Sequence, residues 1–164
     1  MAKCLLAFAC IFTISMSLAA QTKLVATIDC HKFEPQYTIQ VPDQEGFSYL
    51  IGQNKCTWRK GSALEGIESK DAVNVIFDEV RGAAVRTTHT QVTHYTNGDK
   101  VFVTGTGNLN QKTSANSGKW SYTGGTGKFR GLKGGGTYTC KSADANGDYS
   151  CDVEGEYTLP AAKK

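Results

Sequence analysis

Glycine is concentrated between two aromatic stretches, and this concentration limits what the chain can fold into. Seven glycines fall between Gly124 and Gly136, a density that destabilises a helix and interrupts a regular central strand. Trp120 and Tyr122 precede them at a spacing of two residues, and Tyr138 follows, so the rings occupy one side of two strands. Glycine permits the positive φ angles and close backbone approach of a sharply bent connection. The stretch therefore predicts a closed or strongly curved antiparallel sheet.

Length and charge exclude several classes of protein. A chain of 164 residues supports one domain with its own core. Its 18 basic and 15 acidic residues give a formal net charge of +3, and no long run of either sign creates a field that would attract phosphate. We therefore expect no nucleic acid partner.

The first twenty residues have the pattern of a secretory signal peptide. Lys3 supplies the positive charge, an apolar run follows, and small residues precede Ala20. We expect cleavage near Ala19 or Ala20 and a secreted or periplasmic protein with no stable membrane anchor. The apolar run is short for a bilayer span, so a retained anchor is the weaker alternative. The chain is accordingly divided into a signal peptide, a β-barrel domain and a polar tail: 1–20, 21–159 and 160–164.

Four cysteines remain after cleavage. An even number in an exported chain indicates two disulfides, and four cysteines allow three pairings. We favour Cys30 with Cys56 and Cys140 with Cys151, because the second pair brackets an evident hairpin. No Cys-x-x-Cys sequence and no histidine pair with ligand spacing is present, so we expect no metal and no cofactor.

An Asn-Gly pair at 97–98 sets the register of a central hairpin. Two Thr- and Val-rich runs flank this pair, which is typical of a two-residue turn. The register would place Val92 opposite Val103, and we assign that face to the interior. His94 and Arg86 lie on the same face of the strand, so the interior is expected to change from apolar to polar along its length.

The final hairpin gives a second register that is independent of the first. If Cys140 lies opposite Cys151, a four-residue loop at 144–147 closes the turn, with Gly147 available for a left-handed conformation. Along the last strand, alternate residues then share the inner face: Tyr149, Cys151, Val153, Gly155, Tyr157 and Leu159.

About eight strands follow from these patterns. Residues 61–71 are the one place where a short helical turn fits, and no strong helix is available to cover an exposed sheet. Closure into a barrel removes the unpaired edges. A two-sheet sandwich is the alternative.

The block from Tyr122 to Gly131 resembles the Gly-Gly-Thr-Gly-x-Phe segment of the allene oxide cyclase and dirigent superfamily, including its exported bacterial barrel-like members. The flanking segments 118–120 and 154–157 extend the resemblance over about residues 80–159. It implies an eight-stranded antiparallel barrel with an apolar lumen, and it makes a homo-oligomer a candidate assembly, since the plant members are often trimers. It carries over no catalytic residue, because the amino-terminal signature of the plant cyclases has no counterpart in residues 23–54.

The candidate ligand-binding residues are those expected to converge inside the barrel. Aromatic walls with a few hydroxyl groups suit an apolar or aromatic small molecule, and an ordinary packed core is the alternative. The candidates are Trp120, Tyr122, Tyr138, Tyr157 and Val153, with His94 on the same interior and Arg86 at its mouth.

The sequence therefore predicts an exported barrel that binds an apolar or aromatic small molecule in its lumen. One alternative is an enzyme, an allene-oxide-cyclase-like isomerase or a dirigent-like protein, that guides a reactive intermediate by shape. The other is a non-catalytic cell-envelope or interaction protein whose barrel is fully packed. A lumen larger than about 300 Å³ separates the first two readings from the third.

Overall fold

Antiparallel pairing closes eight strands into a barrel. The computed structural model describes residues 21–160, so the predicted signal peptide and all but the first residue of the polar tail lie outside the described residues. Ten strands form: β1 (Thr22–Cys30), β2 (Gln36–Gln40), β3 (Phe47–Lys60), β4 (Ala63–Leu64), β5 (Ile67–Arg81), β6 (Ala84–Tyr95), β7 (Lys100–Asn110), β8 (Ala115–Gly125), β9 (Lys133–Cys140) and β10 (Tyr149–Thr158). Around the barrel the order is β3, β1, β10, β9, β8, β7, β6 and β5, and β5 pairs with β3. The predicted barrel is therefore confirmed over the sandwich.

Two short strands lie outside this ring. β2 pairs with the first part of β3 along the edge that β1 leaves unpaired. β4 pairs only with the start of β5. The helical turn predicted within residues 61–71 is wrong, because positive φ angles at Glu65 and Gly66 reverse the chain and make a tight hairpin of β4 and β5.

The two ends of the barrel differ. Because the strands alternate in direction, the β6–β7 and β8–β9 connections meet at one end, which we call the floor, and the β5–β6, β7–β8 and β9–β10 connections meet at the other, the mouth. After β8 a 3-10 turn (Gly127–Phe129) inserts the fully buried Phe129 under Tyr95, with ring centroids 4.4 Å apart. Leu132 and Leu64 are buried in the same core. These apolar side chains fill the floor end.

The hairpin of β6 and β7 is shifted by one residue from the predicted register. Val92 pairs with Phe102 rather than with Val103. The turn is longer than two residues, and Asp99 O accepts a hydrogen bond from Tyr95 N across it. A shift of one residue exchanges the two faces of a strand. The inner face of β6 is therefore Val85, Thr87, His89, Gln91, Thr93 and Tyr95.

Hydrogen bonds with residues that follow β8 stabilise this longer turn. The Asp99 carboxylate accepts hydrogen bonds from Lys128 N (3.0 Å) and Asn97 Nδ2 (2.7 Å). Lys100 N donates to the Thr126 hydroxyl at 2.8 Å. The segment after β8 therefore fixes the start of β7, which the Asn-Gly pair alone does not reveal.

The final hairpin follows the predicted register. Cys140 lies opposite Cys151 and is bonded to it, and Gly147 has a φ of 87° in the loop. The second predicted disulfide also forms, between Cys30 and Cys56 on paired strands. Two disulfides indicate that the protein resides in an oxidising environment. Over residues 21–160, none of the helical structure has the length and hydropathy needed to cross a membrane.

Candidate functional site

The barrel encloses a cavity of about 500 Å³. Inner-face residues of the eight barrel strands form its walls, and Ser114, Lys141 and Ala143 line it at the mouth. The volume exceeds the 300 Å³ or so at the lower limit of small-molecule pockets. The barrel is therefore not fully packed, in contrast to the third reading of the sequence.

Most of the predicted lumen residues line this cavity. Trp120, Tyr122, Tyr138 and Val153 all contribute to its walls. Tyr157 is buried on the same inner face but is not part of the lining, and its hydroxyl donates to a Glu65 carboxylate oxygen at 3.2 Å. The Gly-rich stretch and the last strand thus meet inside the barrel as their patterns predicted.

His94 and Arg86 lie on the outer surface, so the prediction that they face the lumen is wrong. His94 Nδ1 lies 2.5 Å from a carboxylate oxygen of Asp71 on the neighbouring strand, and Arg86 is exposed. Both errors result from the register shift of β6, which places the even-numbered residues outside. The sequence patterns also did not reveal the polar side chains that β5 and β6 turn inward: Asn74, Asp78, Thr87, His89, Gln91 and Thr93.

Glycines in the wall make room for two of the lining rings. A side chain at Gly107 or Gly118 would collide with the ring or hydroxyl of Tyr138. A side chain at Gly105 would collide with Nε2 of His89. The two rings therefore lie against bare backbone, with their centroids 5.4 Å apart, and the space in front of them remains open. The sequence pattern indicated that glycine bends the chain, but it did not indicate that glycine also makes room for these two rings.

Trp120 joins three strands. Its ring occupies the space that a side chain at Gly155 would need, with Cζ2 2.7 Å from the position of the missing Cβ. The indole N–H donates to the backbone oxygens of Thr137 on β9 (3.2 Å) and Glu154 on β10 (3.3 Å). The ring also packs edge-on against Tyr122. Trp120 therefore both shapes the cavity and connects β8 to β9 and β10.

One wall of the cavity holds polar atoms that lack hydrogen-bond partners. Within residues 21–160 these buried atoms are Asn74 Oδ1, Asp78 Oδ1 and His89 Nε2. Burial raises the pKa of Asp78, although a hydrogen bond with the Thr87 side chain opposes the rise. Burial lowers the pKa of His89. Both groups are thus shifted toward their neutral forms.

Solved structures provide the comparison that the sequence does not. No protein-family model and no curated protein matches the chain. The pterocarpan synthase dirigent protein GePTS1 is similar in structure, with a TM-score of 0.55 and 13% identity over 93% of this chain and 98% of that one. The pterocarpan synthase dirigent protein PsPTS1 gives a TM-score of 0.53 and 14% identity over 85% and 95%. The barrel has the dirigent fold. At these identities the similarity concerns the fold and not the chemistry.

This dirigent-like fold agrees with the architecture that the Gly-Gly-Thr-Gly-x-Phe segment implied. The comparisons do not support the narrower expectation of a bacterial member.

Burial raises the pKa of Tyr138 to about 12 and raises the pKa of Tyr122 further, so these phenols are neutral hydrogen-bonding groups at physiological pH. Over residues 21–160, no three His, Cys, Asp or Glu side chains come close enough together to hold a metal ion. The lumen of the barrel is thus lined by aromatic rings and by a polar wall.

Proposed function

We propose that the dirigent barrel binds a small molecule with an aromatic or apolar body in its lumen. The observation that carries this proposal is the open space in front of the aromatic rings. Wall glycines let Tyr138 and His89 lie back against the strands, and a cavity of about 500 Å³ remains inside the barrel. Cavities of this size and lining gain affinity from apolar contact and orient a ligand through a few polar groups.

Filling the cavity is expected to abolish most of this binding. Val153 lines the lumen and is 7% exposed, whereas Val25 lies on the outer face of β1 and is 57% exposed. The neutral fluorescent probe N-phenyl-1-naphthylamine should bind with 1:1 stoichiometry. Val153→Phe should weaken its affinity by about tenfold or more, because the added ring occupies the same space.

Val25→Phe makes the same substitution outside the barrel and should leave the affinity unchanged. Thermal melting of both variants checks that each is folded. If the probe does not bind, or if both variants bind it as the original chain does, the lumen is not the binding site.

Guidance of a reactive intermediate by shape is the second candidate function. Two observations support it: the structural neighbours are described as pterocarpan synthases, and Asp78 and His89 are groups able to exchange protons inside the cavity. The two candidates differ in the effect of Tyr122→Leu. In a binding protein this variant weakens ligand retention, whereas in an enzyme it changes the distribution of products.

We also propose that the chain forms a homo-oligomer, a trimer if it follows the family resemblance. An apolar outer face crosses three neighbouring strands, because Tyr37 on β2 pairs with Ile51 on β3, which pairs with Phe77 on β5. These side chains and Ile39 are 48% to 71% exposed. β2 carries no charge and its outer edge is unpaired among residues 21–160. Such an edge and patch favour contact with a second copy.

A charge on this outer face should dissociate the oligomer. Phe77→Glu places a carboxylate within the apolar face, whereas Val25→Glu places one on exposed β1 outside it. Light scattering coupled to size exclusion is expected to give a monomer mass for Phe77→Glu and the oligomer mass for Val25→Glu. A monomeric original chain at micromolar concentration would contradict the proposal.

A further inference from the structure

Asp78, near the mouth end of β5, lines the cavity together with Tyr138 and Tyr149. Its charge contributes to the raised pKa values of both phenols. Tyr149 is stacked on Phe33 with centroids 5.9 Å apart, and Tyr138 meets His89 edge to face. The cavity lining therefore combines one carboxylate with several aromatic rings.

This carboxylate has no counter-ion. Residues 21–160 form five side-chain ion pairs, and Asp78 takes part in none of them. Lys141 also lines the cavity, at its mouth, and is not among the residues of these five ion pairs. The Thr87 side chain hydrogen-bonds to the Asp78 carboxyl group, but Oδ1 of that group lacks a hydrogen-bond donor. A carboxylate without a counter-ion in this half-buried position is shifted toward its neutral form, and a bound cation would stabilise its charged form.

The unmet hydrogen-bonding need of this strand is for donors. Asn74, on the same inner face of β5, donates from Nδ2 to Asn54 at 3.3 Å, but its Oδ1 is unpartnered. Tyr149 OH already accepts from Asn54 at 3.0 Å. Two acceptor atoms on one wall, Asn74 Oδ1 and Asp78 Oδ1, thus lack donors, and a ligand with N–H or O–H groups would supply them.

We propose that the lumen binds an organic cation, an aromatic or alicyclic amine whose ammonium group lies against Asp78 and the faces of Tyr138 and Tyr149. An ammonium group supplies the missing counter-charge and hydrogen-bond donors, and it is attracted to aromatic faces. The apolar body of the amine then fills the space toward Trp120 and Val153. This inference rests on the proposed function, since it specifies which molecules the same cavity prefers.

Two probes that differ in one group test the proposal. 2-Naphthylmethylamine is protonated at pH 7, and 2-naphthylmethanol replaces its ammonium group with a hydroxyl group. Calorimetry with the full chain should give an affinity for the amine that is about tenfold to a hundredfold higher. Asp78→Asn, which keeps the shape and removes the charge, should lower this ratio to about one while the alcohol binds as before. Glu154→Gln removes a charge from an exposed position of β10 and should preserve the ratio.

Each contrary result has a distinct meaning. Equal binding of the two probes by the original chain overturns the cation site and leaves lumen binding intact, and this measurement depends on no variant. A preference for the amine that persists in Asp78→Asn likewise overturns it. If neither probe binds while N-phenyl-1-naphthylamine does, the cation site fails alone. If none of the three binds, the lumen proposal fails with it.

Discussion

Reduction of both disulfides is expected to lower the free energy of unfolding by about 6 kcal/mol in the chain-entropy model. The bonds close separate loops, with sequence separations of 26 for Cys30–Cys56 and 11 for Cys140–Cys151. Because the loops do not overlap, their effects on the unfolded chain should be nearly additive. A loss of this size is comparable to the whole stability of many small domains, about 5 to 15 kcal/mol. The reduced barrel should therefore be largely unfolded or close to it.

Urea unfolding with and without reductant measures this effect. Cys30→Ser with Cys56→Ser, and Cys140→Ser with Cys151→Ser, separate the two bonds, and each pair should lower stability by about 3 kcal/mol, the first slightly more because its loop is longer. An unfolding midpoint that does not change on reduction would show that strand closure alone maintains the barrel.

Trp120→Ala is expected to destabilise the barrel by about 3 to 5 kcal/mol, the range for deleting a large buried aromatic side chain. The substitution removes the ring that lies over Gly155 and the indole N–H that reaches Thr137 and Glu154 on two other strands. Packing and strand connection are lost together. The cavity should also enlarge, so the affinity for N-phenyl-1-naphthylamine should change.

Two further variants separate these contributions. Trp120→Phe keeps most of the buried ring and loses the N–H, so it should be clearly less destabilising than the alanine variant. Trp58→Ala removes the other tryptophan, which is only partly buried and makes one long side-chain hydrogen bond, 3.4 Å to Thr93. Its loss of stability in urea should be smaller than that of Trp120→Ala. Equal losses at the two positions would contradict the role assigned to Trp120.

The last strand shows what local sequence can determine. Turn residues and the cysteine pair independently indicated one register for Cys140 and Cys151, and the inner face of β10 followed from strict alternation. Val153 was accordingly predicted as a lumen residue, as Trp120 and Tyr122 were from their two-residue spacing before the glycines, and all three line the cavity. Two agreeing local signals were sufficient because the loop is closed by its own residues, with Asp144 accepting hydrogen bonds from the backbone N–H groups of Asn146, Gly147 and Asp148.

The polar wall was missed because the usual rule of apolar side chains inside fails there. On β5 the outward residues Val73, Val75 and Phe77 are more apolar than the inward Asn74 and Asp78. A cavity that holds polar groups and an outer face that is apolar reverse the ordinary pattern. On β6 the same reversal led to Val92, rather than His89, being assigned to the inner face. The turn that sets the observed register of β6 and β7 depends on hydrogen bonds with residues after β8.

In the part of the chain that the structure describes, the buried Phe129 beneath Tyr95 fills one end of the barrel, and the mouth at the other end provides the entrance. A guest molecule must leave through the opening it entered, and it cannot pass through from end to end. Its time of residence therefore depends on the segments around Ser114 and Lys141–Ala143, and not on any rearrangement of the strands. Substitutions in that rim are accordingly expected to change entry and exit rates together, with little effect on the equilibrium affinity.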